Sequence, residues 1–180
     1  MKNHICPNNK LTYSNNQKGV FCRKPQVRLR WTSPYMVDKL MSYGINPNKT
    51  KEIDFKFDFT LLKSEELKIH FLRGFFDGDG CATISSEYKY VQVGFVTTSF
   101  PFIQQIVDFY KKYSLDFKID KHKSKNMDYY QIWLKGGRNS IIAFKKLMYN
   151  NANFYLQRKF DKFIYDNTEL NKEVNISLSV

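Results

Sequence analysis

The chain is poor in the residues that build disulfide frameworks and metal centres. Its 180 residues include three cysteines, which form no Cys-x-x-Cys pair and leave one cysteine unpaired in any disulfide scheme. The three histidines are scattered, so neither a histidine-based metal site nor a Ser-His-Asp arrangement is indicated. The sequence also lacks a run of about 18 apolar residues and begins with a polar segment. These shortages favour a soluble, intracellular protein that does not enter a membrane.

Positive charge, by contrast, is in excess. The sequence has 29 Lys and Arg residues against 17 Asp and Glu residues, which gives a formal net charge of +12. A surplus of this size favours a polyanionic partner, and nucleic acid is the first candidate.

An apolar helical pattern runs from Ser64 into a glycine-rich decapeptide at residues 71–80. Ser64 is a good N-cap residue, and two glutamates follow it in the first turn. One face of the predicted helix carries Leu67, Phe71, Gly74, Phe75 and Gly78. A glycine inside a helix costs ~1 kcal/mol relative to Ala, so we expect the two glycines to allow close approach of another backbone. This face is therefore a predicted helix–helix interface.

Asp79 lies where the predicted helix ends, which is an unfavourable place for a carboxylate. The C-terminal end of the helix macrodipole is negative and favours cations. A divalent metal bound by the Asp79 carboxylate and the Gly78 carbonyl would satisfy the charge and the orphan carbonyls of the last turn. The alternative is that residues 77–80, Asp-Gly-Asp-Gly, form only a helix stop and a turn.

The residues around Asp79 resemble the signature of the LAGLIDADG homing endonucleases, in the type that carries a single motif. The resemblance covers roughly residues 62–166 and departs from the name motif at Arg73 and Gly78, both of which replace alanine. Its matching positions are Leu72, Gly74, Asp77, Asp79 and Gly80, with Phe75 and Phe76 between them.

This resemblance implies a function and a set of site residues. Asp79 corresponds to the metal-binding acidic residue, Gly78 to the carbonyl ligand beside it, and Asp77 to a structural residue. The family's active sites lie where two signature helices meet, so a chain with one such helix is expected to work as a homodimer. The implied reaction is Mg²⁺-dependent hydrolysis of double-stranded DNA, which leaves a double-strand break.

Two further segments correspond to parts of the family's active site. Residues 156–159, Leu-Gln-Arg-Lys, resemble the segment that carries a basic residue into the site, with Lys159 the first candidate and Arg158 the second. Ser99 or Thr98 corresponds to a polar residue on the sheet side. Ser99 is also a good N-cap for the helix that follows, so a capping role is its alternative.

The hydrophobic patterns predict an α+β fold with the order αββαββαα over residues 61–168, followed by a tail at 169–180. Alternation indicates hairpins at residues 81–98 and 117–135. Helices are predicted from Ser99 to near Ser114, from Asn139 or Ser140 to Tyr149, and from Phe154 to Tyr165. We expect an antiparallel sheet with the helices packed on one face.

Residues 1–60 are predicted to form a separate segment. Residues 27–45 resemble residues 93–111 at an offset of 66, which suggests a strand and helix left over from a first repeat that lacks its own signature helix. Asn46–Phe59 would then link the repeats. A chance similarity over so short a window is the alternative.

The open face of the sheet is the predicted DNA-binding surface. Alternate positions nominate Thr83, Ser85, Gln92, Lys118, His122, Tyr129, Gln131 and Lys135, some of which are side chains that reach base edges in the major groove. The basic run Lys121, His122, Lys123 and Lys125 is better suited to phosphates. A solvated charged turn is the alternative for that run.

Other functions fit parts of the pattern. A splicing maturase that binds RNA, or a DNA-binding regulator, could use a degenerate form of the same scaffold. A basic ribosome-associated or structural protein would explain the charge but not the motif.

Overall fold

The structure, a computed structural model, describes residues 10–14, 26–30, 32–45, 57–85, 90–124 and 127–164. The chain divides into two compact units, Met1–Ser42 and Tyr43–Val180. In the first unit, strands β1 (Leu11–Ser14) and β2 (Gln26–Leu29) form an antiparallel pair, and helix α1 (Pro34–Ser42) follows. The Ser33 hydroxyl caps α1 by accepting a hydrogen bond from the Met36 backbone N–H at 3.2 Å.

The second unit contains four further helices and four strands among the described residues. After a 3₁₀ turn at Phe59–Leu61 come α2 (Glu65–Asp79), β3 (Cys81–Ile84), β4 (Val91–Thr97), α3 (Phe100–Lys111), β5 (Phe117–Lys123), β6 (Asp128–Leu134), α4 (Gly137–Tyr149) and α5, whose described part is 157–164. The predicted αββαββαα order and the α+β class are confirmed. Along the described residues, no helix has the length and apolarity needed to cross a membrane.

Two helix starts differ from the predicted ones. Helix α4 begins at Gly137, before Asn139 or Ser140, because Gly136 and Gly137 make the reversal themselves with φ angles of 89° and 64°. The last helix begins at residue 157 rather than at Phe154. The backbone N–H of Leu156 donates to a carboxylate oxygen of Asp77 at 2.8 Å, and this bond holds the residues before the helix against the end of α2.

The four strands form one antiparallel sheet in the order β3-β4-β6-β5. Its helix-facing side carries Val91, Val93, Phe95 and Ile132, all fully buried. Helices α2, α3 and α4 pack on this side, with Phe76 of α2 5.4 Å from the Phe95 ring. The predicted single helical layer on one face is therefore confirmed, and the other face carries no helix of the second unit among the described residues.

The core of the second unit also takes in residues that precede α2. Phe57 and Phe59 are buried, and the ring of Phe57 stacks on that of Phe71 at 4.2 Å. The end of the segment interpreted as a linker, Asn46–Phe59, therefore contributes to the core. Residues 46–56 lie outside the described residues.

Helices α1 and α3 share a capping arrangement. Ser99 accepts a hydrogen bond from the Phe102 backbone N–H at 3.3 Å, as Ser33 does from Met36. Each residue of the first cap lies 66 positions before its equivalent in the second cap, since 33 + 66 = 99 and 36 + 66 = 102, and this is the offset found in the sequence. The origin of the first unit as a remnant of a repeat stays a prediction.

Candidate active site and nucleic-acid interface

Helix α2 is built as its sequence indicates, from a cap at Ser64 to its end at Asp79. The Ser64 hydroxyl accepts a hydrogen bond from the Leu67 backbone N–H at 3.1 Å. Leu72 and Phe76 are fully buried and anchor one face of the helix in the core. Asp79, on the last turn, is exposed.

Lys159 supplies a cation at the C-terminal end of α2. It is 4% exposed, and its Nζ donates hydrogen bonds to the carbonyl oxygens of Phe76 and Gly80. Burial lowers the pKa of Lys159, as does the charge of Arg158, whereas nearby acidic groups oppose the shift. The positive charge expected at this helix end is thus provided by the chain itself, and these two carbonyls need no metal. Arg158 is exposed.

Asp77 joins three parts of the domain. Its carboxylate accepts one hydrogen bond from the Tyr149 hydroxyl at 3.2 Å and another from the Leu156 backbone N–H at 2.8 Å. Burial raises the pKa of Tyr149, and the Asp77 charge raises it further. These contacts fit a structural residue at the end of α2.

Arg73 replaces an alanine of the signature with a second buried cation. It is 5% exposed, and its Nε donates to the carbonyl oxygen of Met148 in the last turn of α4. One Nη lies 2.8 Å from Nδ1 of His70, and burial lowers the arginine pKa. Arg73 and Lys159 therefore each place a positive group at the negative end of a helix.

A cleft of about 470 Å³ runs beside α2 and brings several predicted site residues together. Its lining comprises Ile45, His70, Phe71, Gly74, Phe75, Asp79, Val96, Thr97, Thr98, Ser99 and Phe102. Asp79 thus shares one cleft with Thr98 and Ser99. Because Ser99 is 1% exposed and its hydroxyl caps α3, its observed contacts are those of the capping alternative.

The predicted helix–helix face divides into an open part and a packed part. A Cβ added at Gly74 or Gly78 would meet no atom within 4 Å among the described residues, and Leu67 is 49% exposed. Phe71 and Phe75 are half-buried, and Phe75 packs 5.1 Å from the Phe102 ring. Contacts among the described residues therefore do not explain the costly glycines.

The metal ligands nominated by the sequence fit a magnesium ion in part. The Asp79 carboxylate and the Gly78 carbonyl are oxygen donors on one helical turn, which suits a hard cation. No group of three His, Cys, Asp or Glu side chains that could hold a metal occurs within the described part of the chain. Mg²⁺ commonly keeps several waters and takes substrate phosphates as ligands, so a site with few protein ligands is compatible with it.

The strand register places most of the predicted DNA-binding residues on one face. Thr83 pairs with Gln92 across β3 and β4, and His122 pairs with Tyr129 across β5 and β6. The residues that alternate away from the helices include Thr83, Gln92, Lys118, His122, Tyr129 and Gln131. Ser85 and Lys135 follow the ends of β3 and β6 with the same alternation.

Lys121 and Lys123 alternate toward the opposite side of the sheet. Lys121 pairs with Tyr130, which lies 5.1 Å from Phe100 of α3, and its Nζ forms a 2.8 Å ion pair with Asp128. The hydrogen bond to Asp128 raises the pKa of Lys121. Lys123 is exposed at the end of β5. Lys125 lies outside the described residues.

The open face also carries residues that were not nominated from the sequence, among them Trp133 and Asp120. Trp133 lies against Gly94, where an added Cβ would come within 2.7 Å of the indole ring. Asp120 pairs with Gln131 and shares its face with Lys118 and His122. The alternation that selected Gln131 also includes Trp133, and the alternation that selected Lys118 and His122 also includes Asp120.

The sequence that forms the signature helix, the sheet and α4 corresponds to a known domain type. The family model described as a LAGLIDADG-like domain matches residues 66–149. These residues are a LAGLIDADG domain. The LAGLIDADG resemblance expected from the signature is thereby confirmed over these residues, and no curated protein matches the chain.

The LAGLIDADG domain includes the signature helix, both hairpins of the sheet and α4. Asp77, Asp79 and the open face of the sheet lie inside it. The segment that carries Arg158 and Lys159 lies beyond the matched residues, although Lys159 contacts the end of the signature helix.

Proposed function

We propose that this chain is a site-specific DNA endonuclease of the LAGLIDADG homing type that acts as a homodimer with Mg²⁺. The observation that carries the proposal is the cleft beside α2, which is lined by exposed Asp79 and by Gly74, a glycine with open space around it. A second copy of α2 packed at Gly74 and Gly78 would bring two Asp79 carboxylates together. Symmetric pairing implies a DNA target with approximate two-fold symmetry.

The residues at the end of α2 and at the start of α5 have separate roles in the proposed cleavage reaction. The Asp79 carboxylate and the Gly78 carbonyl would hold the metal, and Lys159 fixes the backbone on both sides of them through Phe76 and Gly80. Bound Mg²⁺ supplies activation of water and stabilisation of the leaving oxygen. Water attacks the scissile phosphorus and the bond to the leaving oxygen breaks, once in each strand. Arg158, the exposed basic residue next to Lys159, is proposed to stabilise the negative charge on the scissile phosphate.

The open face of the sheet is the proposed DNA surface. Lys118 and His122 on β5 and Gln131 on β6 project on the side without a helical layer, where a duplex has room. The net charge of +12 per chain favours this association.

A nucleic-acid-binding maturase or DNA-binding regulator on the same scaffold is the second candidate. The observation that favours it is that the described residues include one signature helix, so a single chain offers one Asp79 rather than the two carboxylates of a complete site. Such a protein would use the sheet or another surface for binding and would not cut.

Selection of cleaved sites from a random duplex library in Mg²⁺ tests the proposal. Asp79→Asn preserves the side-chain size and removes the charge, so it is expected to abolish cleavage and to preserve or tighten DNA binding. Asp108→Asn is the matched control, because Asp108 is an exposed carboxylate on α3. An Asp79→Asn enzyme that cuts at the wild-type rate refutes the assignment. A wild-type chain that binds DNA or RNA but never cuts favours the second candidate.

A further inference from the structure

The outer face of strand β5 places an acidic side chain between two basic positions. Lys118, Asp120 and His122 alternate onto the face that we propose meets DNA, since they pair with Trp133, Gln131 and Tyr129 of β6. A carboxylate on such a face is repelled by the phosphates. Asp120 therefore needs a reason to be there.

The ion pair that Asp120 makes is a weak reason. Its carboxylate lies 2.9 Å from Nζ of Lys118, and the side chains are 30% and 64% exposed respectively. Solvent-exposed pairs of this kind contribute little to folding. The pair also neutralises a lysine that would otherwise favour binding to DNA.

Asp120 lies in the middle of β5, an edge strand of the sheet, and its neighbours continue the surface across β6 and β4. Gln131 lies directly across on β6, and Val96 of β4 pairs with Gln131 in turn. Asp120 is thus one end of a row that crosses three strands. The Lys118–Trp133 row flanks it on one side and the His122–Tyr129 row on the other.

We propose that Asp120 is a specificity-determining residue that reads a cytosine in the major groove, an inference that rests on the proposed DNA-binding function. Cytosine presents its N4 amino group as a donor there, and a carboxylate accepts from it. Guanine and thymine present acceptors (O6 and N7, or O4) at the corresponding positions, which repel the carboxylate, and adenine presents an N7 acceptor beside its N6 donor, which weakens the contact relative to cytosine. The Asp120 carboxylate therefore favours cytosine in two ways: it attracts the N4 amino group and it disfavours bases that present an acceptor.

Lys118 complements this reading. Two residues along a strand are separated by roughly 6.6 Å, so its ammonium reaches the guanine O6 and N7 of the same or a neighbouring base pair. On binding, the two side chains exchange their mutual ion pair for opposite partners on DNA. Each half-site of a two-fold symmetric target should then contain one cytosine position set by Asp120.

Selection by binding, without cleavage, tests the inference. The full chain is used to enrich bound sequences from a random duplex library in EDTA. Wild type is expected to favour cytosine over other bases at one position per half-site by about tenfold or more. Asp120→Asn should move that preference to adenine, because an amide pairs with adenine N6 and N7. Asp120→Glu should retain cytosine.

Asp128→Asn is the matched control. Asp128 lies on the same hairpin and forms a similar 2.8 Å ion pair with Lys121, but it alternates toward the helix side of the sheet. Its substitution should leave the selected sequence unchanged.

The outcomes separate this inference from the function on which it rests. Loss of the cytosine preference in Asp120→Asn, with or without a gain of adenine, supports the assignment. A selected sequence that is the same in wild type and in Asp120→Asn overturns it and leaves the DNA-binding proposal standing. A wild type that enriches no sequence overturns both. If circular dichroism shows that the Asn variant is unfolded, Asp120→Ser replaces it, and the same loss of cytosine is required.

Discussion

The hydroxyl of Tyr149 donates a hydrogen bond to the carboxylate of Asp77 across 3.2 Å, which ties the end of α4 to the end of the signature helix. The second oxygen of Asp77 accepts from the Leu156 backbone N–H, so one side chain fixes the approach to α5 as well. Asp79, two residues further along, is exposed. Neighbouring aspartates of one motif thus have different physical roles.

This difference predicts that two similar substitutions have unequal effects on the free energy of unfolding. Asp77→Asn turns an amide N–H toward a donor and should lower the free energy of unfolding by about 1–3 kcal/mol. Asp79→Asn should change it by no more than about 0.5 kcal/mol, because exposed side chains away from such contacts matter little. Urea unfolding followed by circular dichroism measures both. Equal losses in the two variants would contradict the structural role of Asp77.

Lys159 and Arg158 provide a second contrast. Lys159→Met removes the ammonium that donates to the carbonyls of Phe76 and Gly80. The Phe76 carbonyl keeps the Gly80 backbone N–H as a donor, whereas the Gly80 carbonyl loses the lysine, and the change should lower the free energy of unfolding by about 1–3 kcal/mol. Arg158→Met, at an exposed neighbouring position, should have little effect on stability. Thermal denaturation of the two variants checks this. A Lys159→Met chain as stable as wild type would mean that the cap is dispensable.

Local patterns were sufficient to predict the signature helix and the sheet. Ser64 caps α2 as expected, and the alternation of Val91, Val93 and Phe95 against Gln92 identified the two faces of β4 correctly. These features depend on residues within a few positions of each other. The open face of the sheet was predictable for the same reason.

Features that depend on distant contacts were not predictable. Lys159 meets Phe76 across 83 residues of sequence, so the pattern near Asp79 called for a cation without identifying this lysine as the cap. Phe57 was assigned to a linker because the sequence around Phe57 does not show that its ring stacks on Phe71 of α2. Asp120 was not nominated, although it lies between Lys118 and His122 in the same alternation.

Gly74→Ala tests whether another helix packs on α2. Within the described residues, an added methyl at Gly74 meets nothing within 4 Å, and alanine is favoured over glycine in a helix by ~1 kcal/mol. The isolated chain should therefore become slightly more stable, whereas association between chains should weaken. Sedimentation at several micromolar concentrations, with and without DNA, measures association. Gly80→Ala is the contrast, because its methyl would lie 2.3 Å from the Phe76 ring and should destabilise the single chain.

A wild-type chain that stays monomeric in both conditions would refute the homodimer. Unchanged association in Gly74→Ala would instead place the interface elsewhere.

The dependence of DNA affinity on salt concentration should show whether the basic run at residues 121–125 contacts phosphates. Each phosphate that the protein neutralises contributes about −0.9 to the slope of log K against log salt. Replacing Lys121, Lys123 and Lys125 together by Ala should flatten the slope and leave the preferred sequence nearly intact. Because Asp128 already neutralises Lys121, Lys121→Ala alone should change the slope less than Lys123→Ala alone. Lys111→Ala, at the end of α3 in the helical layer, should not change it. Fluorescence anisotropy over a range of KCl concentrations gives the slopes, and a triple variant with the wild-type slope would remove this hairpin from the DNA interface.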